Sequence, residues 1–134
     1  MNVKDLDGNS GVWHLTGNIV KGCIENKSSY HLETRKLLKK IYPTMQVLEE
    51  VPITPRKSET LYLDFYIPLI KKCIEVHGEQ HYKFIPYYHS NKLAFLKAQK
   101  RDKDKEEWCD INGIRYVPLM FNEDLNMWEM KIYE

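Results

Sequence analysis

A chain of 134 residues with 43% hydrophobic and 29% charged residues has the size and composition of one globular domain able to bury its own core. It has no run of about 18 apolar residues, which excludes a membrane-spanning helix. The polar start "MNVKDLDGNSG" lacks an apolar signal core, and Cys23, Cys73 and Cys109 lack a CxxC spacing, so a reducing cytoplasm is the expected setting rather than a disulfide framework.

The net charge of +1 conceals two basic clusters, one of Lys92, Lys97, Lys100, Arg101, Lys103 and Lys105, the other of Arg35, Lys36, Lys39 and Lys40. Such clusters can follow a phosphate backbone, although a basic helix is often only a solvated face.

In chain order, "VWHLTGNIVKGCI" (12–24) predicts a hairpin around Gly17-Asn18. Polar capping residues precede "YHLETRKLLKKIYP" (30–43), a helix whose apolar stripe is Tyr30, Leu37, Leu38 and Ile41, with Glu33 beside it. "MQVLEEVPI" (45–53) reads as a strand interrupted at Pro52, followed by a basic turn over 54–60. "LYLDFYIP" (61–68) alternates, with Leu61, Leu63, Phe65 and Ile67 on one face and Tyr62, Asp64 and Tyr66 on the other. After a short turn, 70–76 forms its antiparallel neighbour, with Cys73, Glu75 and His77 sharing a face. Residues 90–114 read as one long helix or two short ones, capped by Ser90 or Asn91, stopped at Asn112-Gly113, with Leu93, Leu96, Trp108 and Cys109 buried. A strand (114–121) and a final helix (123–133) complete an α+β order with a central mixed sheet.

Asp64 stands in an otherwise apolar strand, where an unpaired charge is expensive. Glu75 lies in the next strand, and two converging carboxylates persist most easily around a divalent cation, with oxygen donors suiting Mg²⁺. Glu33 is a candidate third carboxylate. His77 shares the face of Glu75, His81 follows past Gly78, and either imidazole can carry a proton near neutrality. Taken singly, each has an ordinary reading: Asp64 paired with Lys72, Glu75 and the histidines as a polar turn, Glu33 bridging Lys36 or Lys40. His14, His31 and His89 suggest no specific partner. Tyr82, Phe84, Tyr87 and Tyr88 can stack on bases or pack under a loop.

Glu33, "LDFYIP", "IEVHGEQHY" and "RDKDKEEWCDINGIRYVPL" together resemble the PD-(D/E)XK nuclease superfamily, in its branch related to very-short-patch-repair endonucleases and phage homing endonucleases. The resemblance covers roughly residues 28–121 and is most specific over 61–82. It implies a restriction-endonuclease-like core over 28–121, with a hairpin extension (1–27) and a C-terminal helix (122–134) in one domain. By this likeness Asp64 and Glu75 match the metal-binding carboxylates and Glu33 the helical acid. His77 stands where the superfamily usually has lysine, and His81 matches a histidine typical of the branch. Asp102 and Lys105 match "RD-x-x-K", as site support or phosphate contact, and Gln80 lies within the same block.

The expectation is therefore a Mg²⁺-dependent DNA endonuclease, with Mn²⁺ as a substitute, in a cytoplasm that can be that of a phage-infected host cell. Its backbone contacts are expected from Arg35, Arg56, Lys57, Lys83, Lys97, Lys100, Arg101 and Lys105. So few base-reading elements suggest nicking or structure-specific cleavage, or specificity supplied by a homodimer or partner protein. The alternatives are a non-catalytic nucleic-acid-binding module of the same fold, or RNA as substrate. Zinc on Cys73, Cys109 and nearby histidines is disfavoured by their spacing.

Overall fold

A computed structural model describes residues 1–15, 18–19, 29–86 and 89–134. In chain order the elements are β1 (Asn2–Lys4), β2 (Ser10–Val12), β3 (Asn18–Ile19), α1 (Ser29–Ile41), β4 (Leu48–Arg56), β5 (Glu59–Ile67), β6 (Lys72–His77), α2 (Lys92–Ile111), β7 (Arg115–Met120) and α3 (Leu125–Tyr133). Short 3₁₀ turns at Pro68–Ile70 and Glu79–His81 flank β6. β1 and β2 pair as a separate hairpin, and the main sheet has the order β3-β4-β5-β6-β7, antiparallel except for the parallel β6–β7 pair. The expected α+β class with a mixed central sheet is the one observed.

Alternation along β5 and β6 divides the interior into two layers. The cross-strand pair Tyr66↔Cys73 faces Trp13, Trp108, Cys109 and Ile114, so α2 covers that side. The adjoining pair Phe65↔Ile74 faces Leu38, Trp128 and Ile132, so α1 and α3 cover the other. Helix α2 is continuous, capped by Asn91, whose Oδ1 accepts the Ala94 N–H at 2.8 Å, and it ends before Gly113, whose φ of +69° suits a residue without Cβ.

Several expectations need correction. A hairpin not expected from the sequence forms from 2–4 and 10–12, while most of the expected 12–24 hairpin, Gly17 and Cys23 included, lies outside the described residues. β4 continues through Pro52. Among the described residues β3 pairs only with Leu48 and Glu49, and the Pro52 carbonyl faces the same side and accepts the Trp13 Nε1–H at 2.9 Å, so the missing N–H costs no ladder bond there. Leu93 and Leu96 are exposed, because the α2 face that enters the core carries Asp104, Trp108 and Cys109.

The expected stripe packs on the core through Leu37, Leu38 and Ile41, but the inward face of α1 also carries buried polar residues. His31, Thr34, Arg35 and Leu38 are its buried positions, while Tyr30 is largely exposed and meets only the edge of Trp128. Arg35 grips the buried Glu49 through two 2.9 Å hydrogen bonds, and His31 bonds the same carboxylate while stacking on Phe65. Arg35 is thus committed inside the fold and is not available to a phosphate. Lys72 likewise points away from Asp64, donating to the Ile132 carbonyl at the end of α3 and to the Tyr42 hydroxyl just after α1. A cation suits that end of the helix dipole.

Burial opposes the charge on Glu49, but the hydrogen bonds from Arg35 and His31 outweigh it and hold the carboxyl below its ordinary value. A depressed carboxyl stabilises the fold above its unfolded pKa, and that contribution is lost as pH falls through the folded one. Glu49→Ala leaves Arg35 buried without its partner, so chemical denaturation at neutral pH should show a loss of roughly 3–5 kcal/mol. The loss should shrink on acidification below the ordinary glutamate range.

Candidate active site

The β5–β6 ladder runs through Ile67↔Lys72, Tyr66↔Cys73 and Phe65↔Ile74, and the next opposed positions in that register are Asp64 and Glu75. There the side chains take over from the backbone. The Asp64 N–H donates to Glu75 Oε2 at 2.7 Å, and the Val76 N–H donates to Asp64 Oδ2 at 2.9 Å. Each carboxylate thus satisfies a backbone donor of the other strand, which holds both groups at one point. Glu75 is only 1% exposed. Burial, and next the charge of Asp64, push its carboxyl well above the ordinary value, while Lys105 pulls the other way.

Lys105 supplies the counter-charge, with Nζ 2.9 Å from Glu75 Oε1. Burial weighs against its ammonium, but Glu75 and Asp64 more than compensate and raise its pKa above the usual lysine range. Asp102 lies three residues earlier on α2, a spacing that puts the two side chains on neighbouring turns of one face.

Asp102 holds His81. Its Oδ2 lies 2.6 Å from His81 Nδ1, and although burial disfavours the carboxylate, that hydrogen bond outweighs it and keeps Asp102 below its ordinary pKa. An ionised Asp102 only accepts, so Nδ1 of His81 carries a proton, and in the neutral ring Nε2 is the acceptor. Among the described residues Nε2 has no partner. His77 stands differently. Its Nδ1 meets the Tyr82 hydroxyl at 2.8 Å and its Nε2 the Tyr116 hydroxyl at 3.1 Å. Burial, with the nearby His81, lowers its pKa to about 4, so its ring is neutral at neutral pH. The two imidazoles stack with centroids 4.5 Å apart, beside a cavity of about 280 Å³ that Tyr82, Gln99 and Tyr116 help to line.

Two donor sets could hold a cation. One is the oxygen pair of Asp64 and Glu75. The other is His77, His81 and Asp102, whose ligating atoms lie within 4.8 Å of one another. The expected convergence of Asp64 with Glu75 is present, and His77 and His81 come together. Glu33 does not join them. It sits half-buried on α1, which packs against the opposite face of the sheet from Lys105 and α2.

The expected phosphate contacts divide. Arg56 is held by Asp104 at 2.5 Å and by Glu59 at 3.7 Å, tying the β4–β5 hairpin to α2. Lys105 is spent on Glu75, and Lys83 lies 3.4 Å from Glu79. Lys57 is exposed on the hairpin turn. Lys97, Lys100 and Arg101 are exposed along a groove of about 500 Å³ shared with Ser58 and Thr60.

Gln80 is half-buried in the turn that carries His81. Phe84 and Phe95 pack around His89, whose Nδ1 accepts the Ile85 N–H at 3.1 Å, while Tyr87 and Tyr88 lie outside the described residues. His31 and His89 thus have specific partners, contrary to expectation, whereas His14 is exposed. Tyr116, within the strand expected over 114–121, joins the site through the parallel register, which sets it opposite Cys73 and beside the face of Glu75 and His77.

Uncharacterized protein 307L of Invertebrate iridescent virus 6 is 39% identical over 72 residues, spanning 52% of this chain and 36% of that protein. Uncharacterized protein 033L of Invertebrate iridescent virus 3 is 32% identical over 72 residues (54% and 37%), and Uncharacterized protein 094L of Frog virus 3 is 30% identical over 70 (52% and 45%). The aligned part therefore spans less than half the length of each of these relatives. No family model matches the chain, and no solved structure matches it significantly. Among the described residues no helix is long and apolar enough to cross a membrane.

Removing the counter-charge of Glu75 should be costly in a way that removing a solvated lysine is not. Lys105→Met should lower the free energy of unfolding by about 1–3 kcal/mol. Lys100→Met, on the exposed side of the same helix, should stay within about 0.5 kcal/mol of wild type by chemical denaturation.

Proposed function

We propose that the chain is a divalent-metal-dependent phosphodiesterase of the PD-(D/E)XK type acting on DNA. The observation that carries this reading is the Asp64–Glu75 pair, locked by reciprocal backbone hydrogen bonds and set against Lys105. Lys105 also offers a substitute for the superfamily lysine that His77 replaces, reaching the carboxylates from α2 instead of from β6.

The donor set fits Mg²⁺. Asp64 and Glu75 present hard carboxylate oxygens, and two carboxylates against one ammonium leave the point negative. Asp64 and Glu75 would hold the ion, which when bound supplies charge neutralisation and polarisation of the phosphodiester. The remaining work belongs to side chains. Asp102 orients the imidazole of His81, whose free Nε2 takes a proton from the attacking water as the oxygen–phosphorus bond forms. The bond from phosphorus to the leaving oxygen breaks, and that oxygen is protonated from solvent. Lys105, paired with Glu75 Oε1, holds that carboxylate in place beside Asp64. His77, with both ring nitrogens engaged by tyrosine hydroxyls, serves as a rigid wall under His81 rather than as the base. Lys97, Lys100 and Arg101 give the substrate backbone an exposed basic track beside the groove.

Supercoiled plasmid incubated with Mg²⁺, with and without chelator, tests the reading. Nicking should require the ion, disappear in Asp64→Ala and fall on the order of 10²–10⁴-fold in His81→Ala, with a far smaller loss in His77→Phe. Equal cleavage by wild type and Asp64→Ala would refute the catalytic assignment. Mg²⁺-independent binding that survives Glu75→Ala, without cleavage, would mark a non-catalytic binding module. Preference for matched RNA over DNA would move the substrate class. Binding should also weaken with salt, and each of Lys97→Ala, Lys100→Ala and Arg101→Ala should flatten the log–log slope by roughly 0.7–0.9.

A further inference from the structure

The cleavage reading uses the end of β6 only in part. His77 closes that strand, His81 lies in the 3₁₀ turn after it, and Asp102 projects from the middle of α2, so three separate elements deliver ligating atoms to within 4.8 Å of one another. Donors about 2.0–2.2 Å from a tetrahedral ion stand roughly 3.3–3.5 Å apart, so small side-chain rotations bring this set to bonding distance. Its chemistry differs from that of the neighbouring oxygen pair. Two imidazoles and one carboxylate form a borderline set that favours Zn²⁺ over Mg²⁺. Three protein ligands beside a cavity of about 280 Å³ leave room for a fourth, exchangeable one.

The surroundings also suit a metal-bound histidine. Tyr82 and Tyr116 hold the His77 ring at its two nitrogens. An ion needs one of them, and Tyr82, 40% exposed, can swing out while Tyr116 keeps the ring oriented as an outer-shell partner. Because the imidazoles lie within 8° of parallel, His81 must turn about χ2 to aim at the same ion, and its side chain is a quarter exposed on the turn.

We propose that His77, His81 and Asp102 form a Zn²⁺ site distinct from the Asp64–Glu75 pair, and that filling it silences the enzyme by withdrawing His81 and Asp102 from proton transfer. The inhibitory half rests on the cleavage reading above; the binding half does not. The two are separated by measuring binding without nucleic acid. The full chain, freed of metal with chelator, is titrated with ZnCl₂ by calorimetry and with CoCl₂ by visible absorption.

One Zn²⁺ per chain is expected, with a Co²⁺ spectrum of a low-coordinate nitrogen–oxygen site. Affinity should fall by about tenfold or more in His81→Ala and in Asp102→Asn. It should be unchanged in Asp64→Asn, which alters only the oxygen pair. Circular dichroism of each metal-free variant shows that lost binding is not lost folding, and His81→Gln repeats the test with a side chain of similar bulk. Absence of Zn²⁺ binding by wild type, or equal binding by wild type, His81→Ala and His81→Gln, overturns the site. So does loss of binding in Asp64→Asn alone. If binding follows the expected pattern, Zn²⁺ at one equivalent should suppress Mg²⁺-dependent nicking, and nicking that continues undiminished overturns the inhibitory half.

Discussion

A carboxylate buried to 1% exposure cannot be left without a counter-charge, and much of the arrangement around β6 follows from supplying one to Glu75. The ammonium comes from Lys105, so α2 must cross this face of the sheet at a fixed height. Trp108 and Cys109, three and four residues on, enter the core against Trp13 and Tyr66 and hold the helix there. Asp102, three residues back, is thereby brought to His81. One helix face thus carries the anchor, the counter-ion and the partner of the histidine, in steps of one turn. The Arg56–Asp104 pair fastens the β4–β5 hairpin to the same helix.

The two buried ionic clusters on opposite sides of the sheet make an instructive contrast. Glu49 is met by the guanidinium of Arg35 and by His31, and its charge is matched within the fold. Its carboxyl is correspondingly depressed, the behaviour of a closed structural cluster. Asp64 and Glu75 share a single ammonium, and burial first, then the charge of Asp64, pushes Glu75 upward instead, because Lys105 does not outweigh them. Buried ionic clusters are thus charge-matched on one face of the sheet and carry an excess of carboxylates on the other. Charge matching separates the two roles where residue identity does not, and it directs the functional reading to the α2 side.

The elements of the sheet were legible because their signals are local. Alternation in "LYLDFYIP", the short turn after it and the Asn112-Gly113 stop are written in consecutive residues. So was the opposition of Asp64 and Glu75, since an antiparallel pair joined by a short turn has little freedom of register. The failures also share a cause. Tyr30, Leu93 and Leu96 are apolar yet exposed, while His31, Arg35 and Asp104 are polar yet buried. Hydrophobic patterning assigns a face by the character of each side chain, and it cannot see that a polar residue is buried when its partner lies far along the chain. Glu33 fails for a related reason: its helix packs on the far side of the sheet, which no local pattern reveals.

By itself, then, the sequence determined the order of strands and helices, the cross-strand carboxylates and the nearness of the two histidines on either side of Gly78. These depend on contacts a few residues apart. Only the tertiary structure decided that Lys105 neutralises Glu75, that Asp102 takes His81, and that Tyr82 and Tyr116 occupy both nitrogens of His77. Most of those contacts join segments some twenty to forty residues apart, and α2 could face the sheet through any of several sides. Which side it presents is fixed by burying Trp108 and Cys109 while keeping Lys105 within reach of a charge that cannot be buried alone.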